Sequence, residues 1–506
     1  MNKGTGSRIL DWVERTGNRL PDPAIHFLIA LTLVWVFSAL LAGGDFGVTD
    51  LRTGKPLQII SQLEPAAFAK TLEGVVGAYV GFPPLGVVLV LALGVGIAEH
   101  SGLVAAGLQK ALAVAPARFL TPMLVAATVA SSIASDAALL IMAPLGGAVF
   151  YAAGRHPLAG VLAAATANHL IVANFLPTGL DTVLQGLSQQ AAQILDAGRE
   201  VNALCNYFYS VAAGAGTTLV LWWVVDRVLE PRLASTPVDG DPADLPKSSA
   251  PSPRENRALV WSAASLLSLI ALVAAFALPE SSPMRSPGGT LTGTGSPLMR
   301  SIVPLMLLLT AVPGLVYGYA SGVFTHHKQV VKAMSRTLSS MGYYMVMVFF
   351  ASQFIRAFGE SNLGALLALK GGFALKALAL PSLVTLIGLI LLSAIINLMI
   401  ASSSAKWAML SSIFVPMLMT AGIAPEATQI AYRIGDSSTN MLTPLNPYFP
   451  LIAAFCARYV KSAGIGTIIS LALPMCAACL AVYLLLLGAF WAAGLPLGIG
   501  SHFFYP

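Results

Sequence analysis

Apolar residues run along this chain in blocks of about 20, the length at which a single helix crosses the hydrocarbon core of a bilayer. Blocks at 24–43, 84–102, 205–226, 258–278, 302–322, 340–358 and 466–492 each predict a spanning helix. Two longer stretches, 157–182 and 425–456, are interrupted by polar and proline-containing segments and predict broken helices. Two more, 119–153 and 380–422, are apolar with Ser-rich centres. Each predicts a hairpin of two short helices that enters and leaves on one side. The segments 105–117 and 362–377 mix apolar residues with Lys110, Lys370 and Lys376, a pattern suited to amphipathic helices at the interface. The expected fold is an all-α polytopic membrane protein with about nine transmembrane helices and two re-entrant helical hairpins.

Composition supports that reading. Of 506 residues, 56% are hydrophobic and 10% charged, against about 25% charged in soluble domains. So few charges cannot cover a water-facing surface, which excludes a soluble enzyme. The 28 Lys and Arg exceed the 22 acids only modestly, so the basic residues report orientation rather than nucleic-acid binding. Lys3, Arg8, Arg15 and Arg19 place the amino terminus in the cytoplasm. Nine spans then put Lys110, Arg118, Arg155, 227–257, Lys328–Arg336 and Arg458–Lys461 inside, and the carboxyl terminus outside. The polar first 22 residues predict no cleavable signal peptide. A Pro- and Asp-containing linker, 234–256, separates an amino-terminal half, 1–233, from a carboxyl-terminal half, 257–506. Cys476 and Cys479 lie in an apolar run without His or acidic neighbours, which favours packing over metal or redox chemistry.

The two hairpin centres resemble each other. Ser131-Ser132-Ile133-Ala134-Ser135-Asp136 is followed by Pro144, and Ser402-Ser403-Ser404-Ala405-Lys406-Trp407 by Pro416. Ser132 to Pro144 and Ser404 to Pro416 are both twelve positions. Each hairpin precedes a break: Ala173-Asn174-Phe175-Leu176-Pro177-Thr178 with Asp181 beyond, and Asp436 through Asn440 to Pro444. The halves would insert with opposite topology, the inverted-repeat logic of secondary transporters. Ser-rich tips expose helix amino ends with partial positive charge. Asn and Asp at breaks offer oxygens to a cation, and irregular backbone at membrane depth is tolerated where it lines a cavity.

Individual residues carry two readings each. A carboxylate at the bilayer centre costs about 2.5–3.5 kcal/mol on insertion scales, which points Asp181 and Asp436 toward function, while Asp136 suits a first-turn dipole partner equally well. Arg433 can pair with Asp436 three positions on or grip a substrate carboxylate with its planar fork. Trp407 can pack or stack on an aromatic substrate. Asn397 can bond a neighbouring helix or, with Asp436, coordinate sodium. His169 and His26 read as structural histidines. No nucleophile–base arrangement or phosphate loop appears.

Asp11-Trp12-Val13-Glu14-Arg15-Thr16-Gly17-Asn18, Ser135-Asp136-Ala137-Ala138-Leu139, Gly154-Arg155-His156-Pro157, Glu230-Pro231-Arg232-Leu233 and Arg433-Ile434-Gly435-Asp436-Ser437-Ser438 together resemble the AbgT family, the p-aminobenzoyl-glutamate transporters. The resemblance implies a bowl-shaped homodimer in the bacterial inner membrane, with a transport core and a dimerising scaffold. It implies ion-gradient-driven efflux of p-aminobenzoate-like antimetabolites such as sulfonamides, or sodium- or proton-coupled import of p-aminobenzoyl-glutamate or dicarboxylates, with no cofactor. It implies a transport path or ion site at Asp181, Asn397, Ser404, Trp407, Arg433, Asp436 and Pro444. Ser132, Asn174 and Asn440 join them from the tips and breaks. One stretch departs from the family pattern: Thr166–Val172 has no glycine where relatives carry several.

Overall fold

A computed structural model describes residues 23–49, 54–113, 116–132, 136–240, 251–292, 295–400, 402–443, 446 and 448–505. Pro444, the 11–18 motif, the four amino-terminal basic residues and 241–250 of the linker lie outside them, as does the side chain of Asp136. Among the described residues the chain is helical, with two isolated β-bridges and no named strand.

The helices that position the site are, in chain order, α1 Pro23–Leu41, α2 Pro83–His100, α3 Leu103–Ala113, α4 Leu120–Ser131, α5 Asp136–Ala152, α6 Pro157–His169, α7 Gly179–Ala192, α8 Tyr207–Val224 and α9 Pro253–Ala277. They continue as α10 Ile302–Ser321, α11 His327–Ser340, α12 Gly342–Glu360, α13 Leu363–Ala377, α14 Ser382–Asn397, α15 Ser403–Thr420, α16 Pro425–Thr439, α17 Phe449–Ala457 and α18 Ile465–Ala492. Proline opens α6, α9 and α16, where its fixed φ is already helical and its missing N–H costs nothing. Among the described residues, five helices are long and apolar enough to cross a bilayer, or up to seven if each bent pair counts as one span. The nine spans expected also include the two broken segments, whose short helices such a criterion does not count. One bent pair is α2 with α3, turned by 59°; its second member is the amphipathic segment expected at 105–117.

Each Ser-rich apolar region resolves into two short helices, α4 with α5 and α14 with α15. Pro144 and Pro416 both lie inside the second arm. Both broken segments are also pairs, α6 with α7 and α16 with α17. The second break starts later than expected, because α16 continues to Thr439. Asp436 therefore lies in the last turn of a helix. The first break forms without glycine: no residue from 166 to 178 has positive φ, so the stretch never visits the region where glycine has its advantage.

Two hydrophobic clusters meet at α16. Ile430 and Ile434 belong to the larger, with α4, α5, α6, α8, α14 and α18. Tyr432 belongs to the second, with Phe27 of α1, Leu184 of α7, Phe354 of α12 and Trp407 of α15. Small residues let backbones touch in this core. A Cβ on Gly160 of α6 would lie 2.2 Å from the Gly146 carbonyl oxygen of α5. One on Gly435 of α16 would lie 2.1 Å from the Ile390 carbonyl oxygen of α14. All four cysteines are buried and free, consistent with packing.

Candidate functional site: a buried polar helix clamped by ion pairs

Every residue of α16 from Pro425 to Ser438 is buried, and half of that run is polar. Sealed from water, each charge on the helix must find a partner in the protein. Three do, and all three partners come from other elements. Glu426 receives Arg199 Nη2 at 2.8 and 3.0 Å on its two oxygens. Arg433 Nη1 lies 2.6 Å from Asp181 Oδ1. Asp436 Oδ1 pairs with Lys406 Nζ, and both of these side chains are completely buried.

The Arg433–Asp181 pair ties α16 to the first break. The other Asp181 oxygen accepts the Thr178 N–H at 2.6 Å and the Thr178 hydroxyl at 2.8 Å, closing a capping box that starts α7. Arg433 Nη2 donates to the Ile171 carbonyl at 3.0 Å, and Asn174 Nδ2 donates to the same oxygen at 3.0 Å. The Val172 N–H donates to Ser437 Oγ at 2.9 Å, and Asn440 Nδ2 donates to the His169 carbonyl at 3.0 Å. Backbone groups freed where α6 stops are thus satisfied by side chains of the second broken segment.

The Lys406–Asp436 pair ties α16 to the second hairpin. Ser403 Oγ donates to the second oxygen of Asp436. Lys406 Nζ also donates to Asn397 Oδ1. The amide nitrogen of Asn397 donates to the Asp436 carbonyl at 2.7 Å, Thr439 Oγ1 at 2.9 Å and Asn440 Oδ1 at 2.9 Å. One asparagine at the end of α14 therefore joins both hairpin arms to the end of α16. Ser402 caps α15 by accepting the Ala405 N–H at 3.4 Å.

At three positions the structure bears on readings that the sequence left open. Arg433 and Asp436 do not pair with each other; each reaches a partner on a different element, because α16 is surrounded on all faces. Trp407 offers no open face for a substrate ring: it is completely buried and stacks on Tyr432, ring centroids 4.5 Å apart. Its Nε1 donates to Ser188 Oγ at 2.9 Å and to the Leu184 carbonyl at 3.2 Å. The two oxygens assigned to sodium, on Asn397 and Asp436, are bridged by the ammonium of Lys406, so the chain itself supplies the positive charge there.

Asp181, Asn174, Asn397, Trp407, Arg433, Asp436 and Asn440 thus gather along α16. Ser404 is half-buried in the first turn of α15. Ser132 closes α4 and bonds within its own turn, to the Thr128 carbonyl at 3.4 Å. Among the described residues no hydrogen bond joins Ser132 to α16. Sequence reasoning passed over Lys406, Arg199, Glu426, Gln429 and Tyr432. Lys406 had a readable signal: it is a lysine one turn into an apolar arm, where the cost applied to the aspartates applies equally. Arg199 had none, since it lies in a polar connection and only the fold brings it to Glu426.

The paired, desolvated charges along α16 join the second hairpin to the two broken segments, and comparisons with known proteins place the chain among transporters. The AbgT putative transporter family matches residues 8–505. The p-aminobenzoyl-glutamate transport protein of Escherichia coli (strain K12) is 34% identical over 498 residues, covering 98% of this chain and 97% of the relative. The structure of the Alcanivorax borkumensis YdaH transporter, described as having an unusual topology, superposes with a TM-score of 0.89 at 39% identity, covering 94% of this chain and all of that one. Neisseria gonorrhoeae MtrF, described as illuminating a class of antimetabolite efflux pumps, superposes with a TM-score of 0.90 at 38% identity over 97% of this chain and all of that one. The chain is a multi-pass membrane protein and belongs to the AbgT family of transporters.

Proposed function

We propose that this chain is a secondary active transporter that uses an ion gradient to export p-aminobenzoate-like antimetabolites, sulfonamides among them. The observation that carries the reading is the pair of buried ion pairs on α16, Arg433–Asp181 and Lys406–Asp436. Ionisable groups at membrane depth are expensive and mark transport pathways. Replacing a buried ion pair by apolar residues often stabilises a protein, so stability alone gives no reason to keep two. Each pair suits an exchange of like for like. A substrate carboxylate competes with Asp181 for the guanidinium fork of Arg433. A coupling cation, Na+ or H+, competes with the Lys406 ammonium for Asp436. Either exchange releases one charged partner, Asp181 or the Lys406 ammonium, which must then be hydrated or change its protonation state. Trp407 serves as the post that holds α15 against α7 and α16. The protein works in the inner membrane as a homodimer with its amino terminus in the cytoplasm.

The test is flux of radiolabelled p-aminobenzoate in proteoliposomes with a sodium or proton gradient imposed in either direction. Concentrative flux is expected only under one of these gradients, and the double variant K406A/D436A, which strands no charge, removes it while the protein still incorporates. Flux that equilibrates without any gradient, or that survives in the variant, rejects the reading. The name of the E. coli relative favours a second reading, coupled import of p-aminobenzoyl-glutamate. It predicts that p-aminobenzoyl-glutamate accumulates inside under an inward ion gradient.

A further inference from the structure

The helix α11, between α10 and α12, is unlike its neighbours: it is strongly two-sided. Its inner side, Val330, Ala333 and Met334, packs on Ile97 of α2, Ala311 and Leu315 of α10, and Phe324. Its outer side carries Lys328, Lys332 and Arg336, all exposed. The spacing of four places the three charges in one stripe, about 12 Å long at 1.5 Å per residue. No acidic residue occurs between Glu280 and Glu360, so no acid close along the chain neutralises the stripe. Among the described residues none of the three basic side chains has a salt bridge.

The helix is also held in a set orientation. His326 caps it, accepting the Lys328 N–H at 3.2 Å, and Gln329 Oε1 accepts the Thr325 and His326 N–H groups at 2.6 and 3.2 Å. It then bends by 46° into α12. The helix is short and amphipathic and lies between two apolar helices, with its apolar side on the protein and its cationic side outward. Arg254 reinforces the same end of the molecule, donating from Nε to the Ala320 carbonyl at the end of α10 at 3.2 Å.

We propose that the stripe Lys328, Lys332 and Arg336 is a binding site for the headgroup of an anionic phospholipid of the surrounding bilayer. Charge complementarity selects the ligand: three exposed cations without a salt bridge among the described residues, on a helix between two apolar ones, suit phosphodiester anions. The site is independent of substrate and direction of transport and rests only on the chain being membrane-embedded. It anchors α11, which packs on α2; α2 in turn packs on α7, the helix that carries Asp181. Lipid occupancy therefore bears on the scaffold behind the polar helix.

The experiment uses the purified full-length protein in neutral detergent, with phosphatidylglycerol or phosphatidylcholine added. Retained lipid is counted by native mass spectrometry and the melting temperature recorded. Phosphatidylglycerol should bind and raise the melting temperature more than phosphatidylcholine, and added salt should erase the difference. The triple variant K328Q/K332Q/R336Q should lose the difference, with apparent affinity falling about fivefold per charge removed. A wild-type protein indifferent to headgroup charge overturns the proposal, as does a triple variant that keeps the full response. Inorganic phosphate reproducing the effect also overturns it, since the site would then be one for free anions. If the variant does not fold, the wild-type salt titration decides alone.

Discussion

Pro253–Ala277 (α9) and Pro425–Thr439 (α16) both open with proline, and both lie in a chain that crosses lipid, yet they are opposites. Only 6% of the apolar window of α9 is buried, and its exposed residues include Leu267 and Leu272. In α16 nothing from 425 to 438 is exposed, yet it carries Glu426, Gln429, Arg433, Asp436, Ser437 and Ser438. In water the buried helix would be the apolar one. In lipid, association has no hydrophobic drive between apolar surfaces, and polar contacts and close packing hold helices together. The inversion marks which helix faces lipid and which lies sealed inside the protein.

The sharpest way to break the contrast is to strip one partner from a buried pair on α16. Lys406→Ala leaves Asp436 without its counter-ion and should cost about 3–5 kcal/mol, read as a collapse of the melting temperature or of yield. The double variant K406A/D436A should recover much of that stability while remaining inactive in flux, because the stranded charge is gone but the exchange site is gone too. If the single and double variants were equally stable, the pair would not be the electrostatic unit described here.

Gly435→Ala is next. The added Cβ would sit 2.1 Å from the Ile390 carbonyl oxygen, a backbone atom that cannot swing away. Separating α14 from α16 should cost about 1–3 kcal/mol and loosen the Asn397 contacts, so transport should fall further than the melting temperature suggests. An unchanged melting temperature would mean the two helices are not in backbone contact.

The smallest effect belongs to α9. Leu267→Ala removes an exposed apolar side chain, and the change in stability should stay within about 0.5 kcal/mol, with flux unaltered. A large loss would show that this face of α9 is covered by another protein surface.

Much of this architecture was legible in advance because lipid simplifies the code. Long apolar blocks such as 258–278 and 466–492 became α9 and α18 within a few residues, since a helix is the one local solution for a spanning backbone. The breaks were legible as polar and proline-bearing interruptions, but their edges were not. The run 436–444 looked like a break from its first residue, whereas neighbouring helices satisfy α16 as far as Thr439. Tertiary contacts decide where a helix stops when both outcomes leave backbone groups paired.

Read alone, the chain determined that this is a helical membrane protein, that Asp181, Arg433 and Asp436 lie at its interrupted segments, and which family it resembles. Only the tertiary structure decided the partners: Arg433 with Asp181, Asp436 with Lys406, Glu426 with Arg199. Local spacing had suggested Arg433 with Asp436. The physical reason is that composition and periodicity depend on near neighbours along the chain, while a desolvated charge is satisfied by whatever opposite charge the packing brings within about 3 Å. That partner lay 30 residues away for Asp436 and more than 200 away for Arg433 and Glu426.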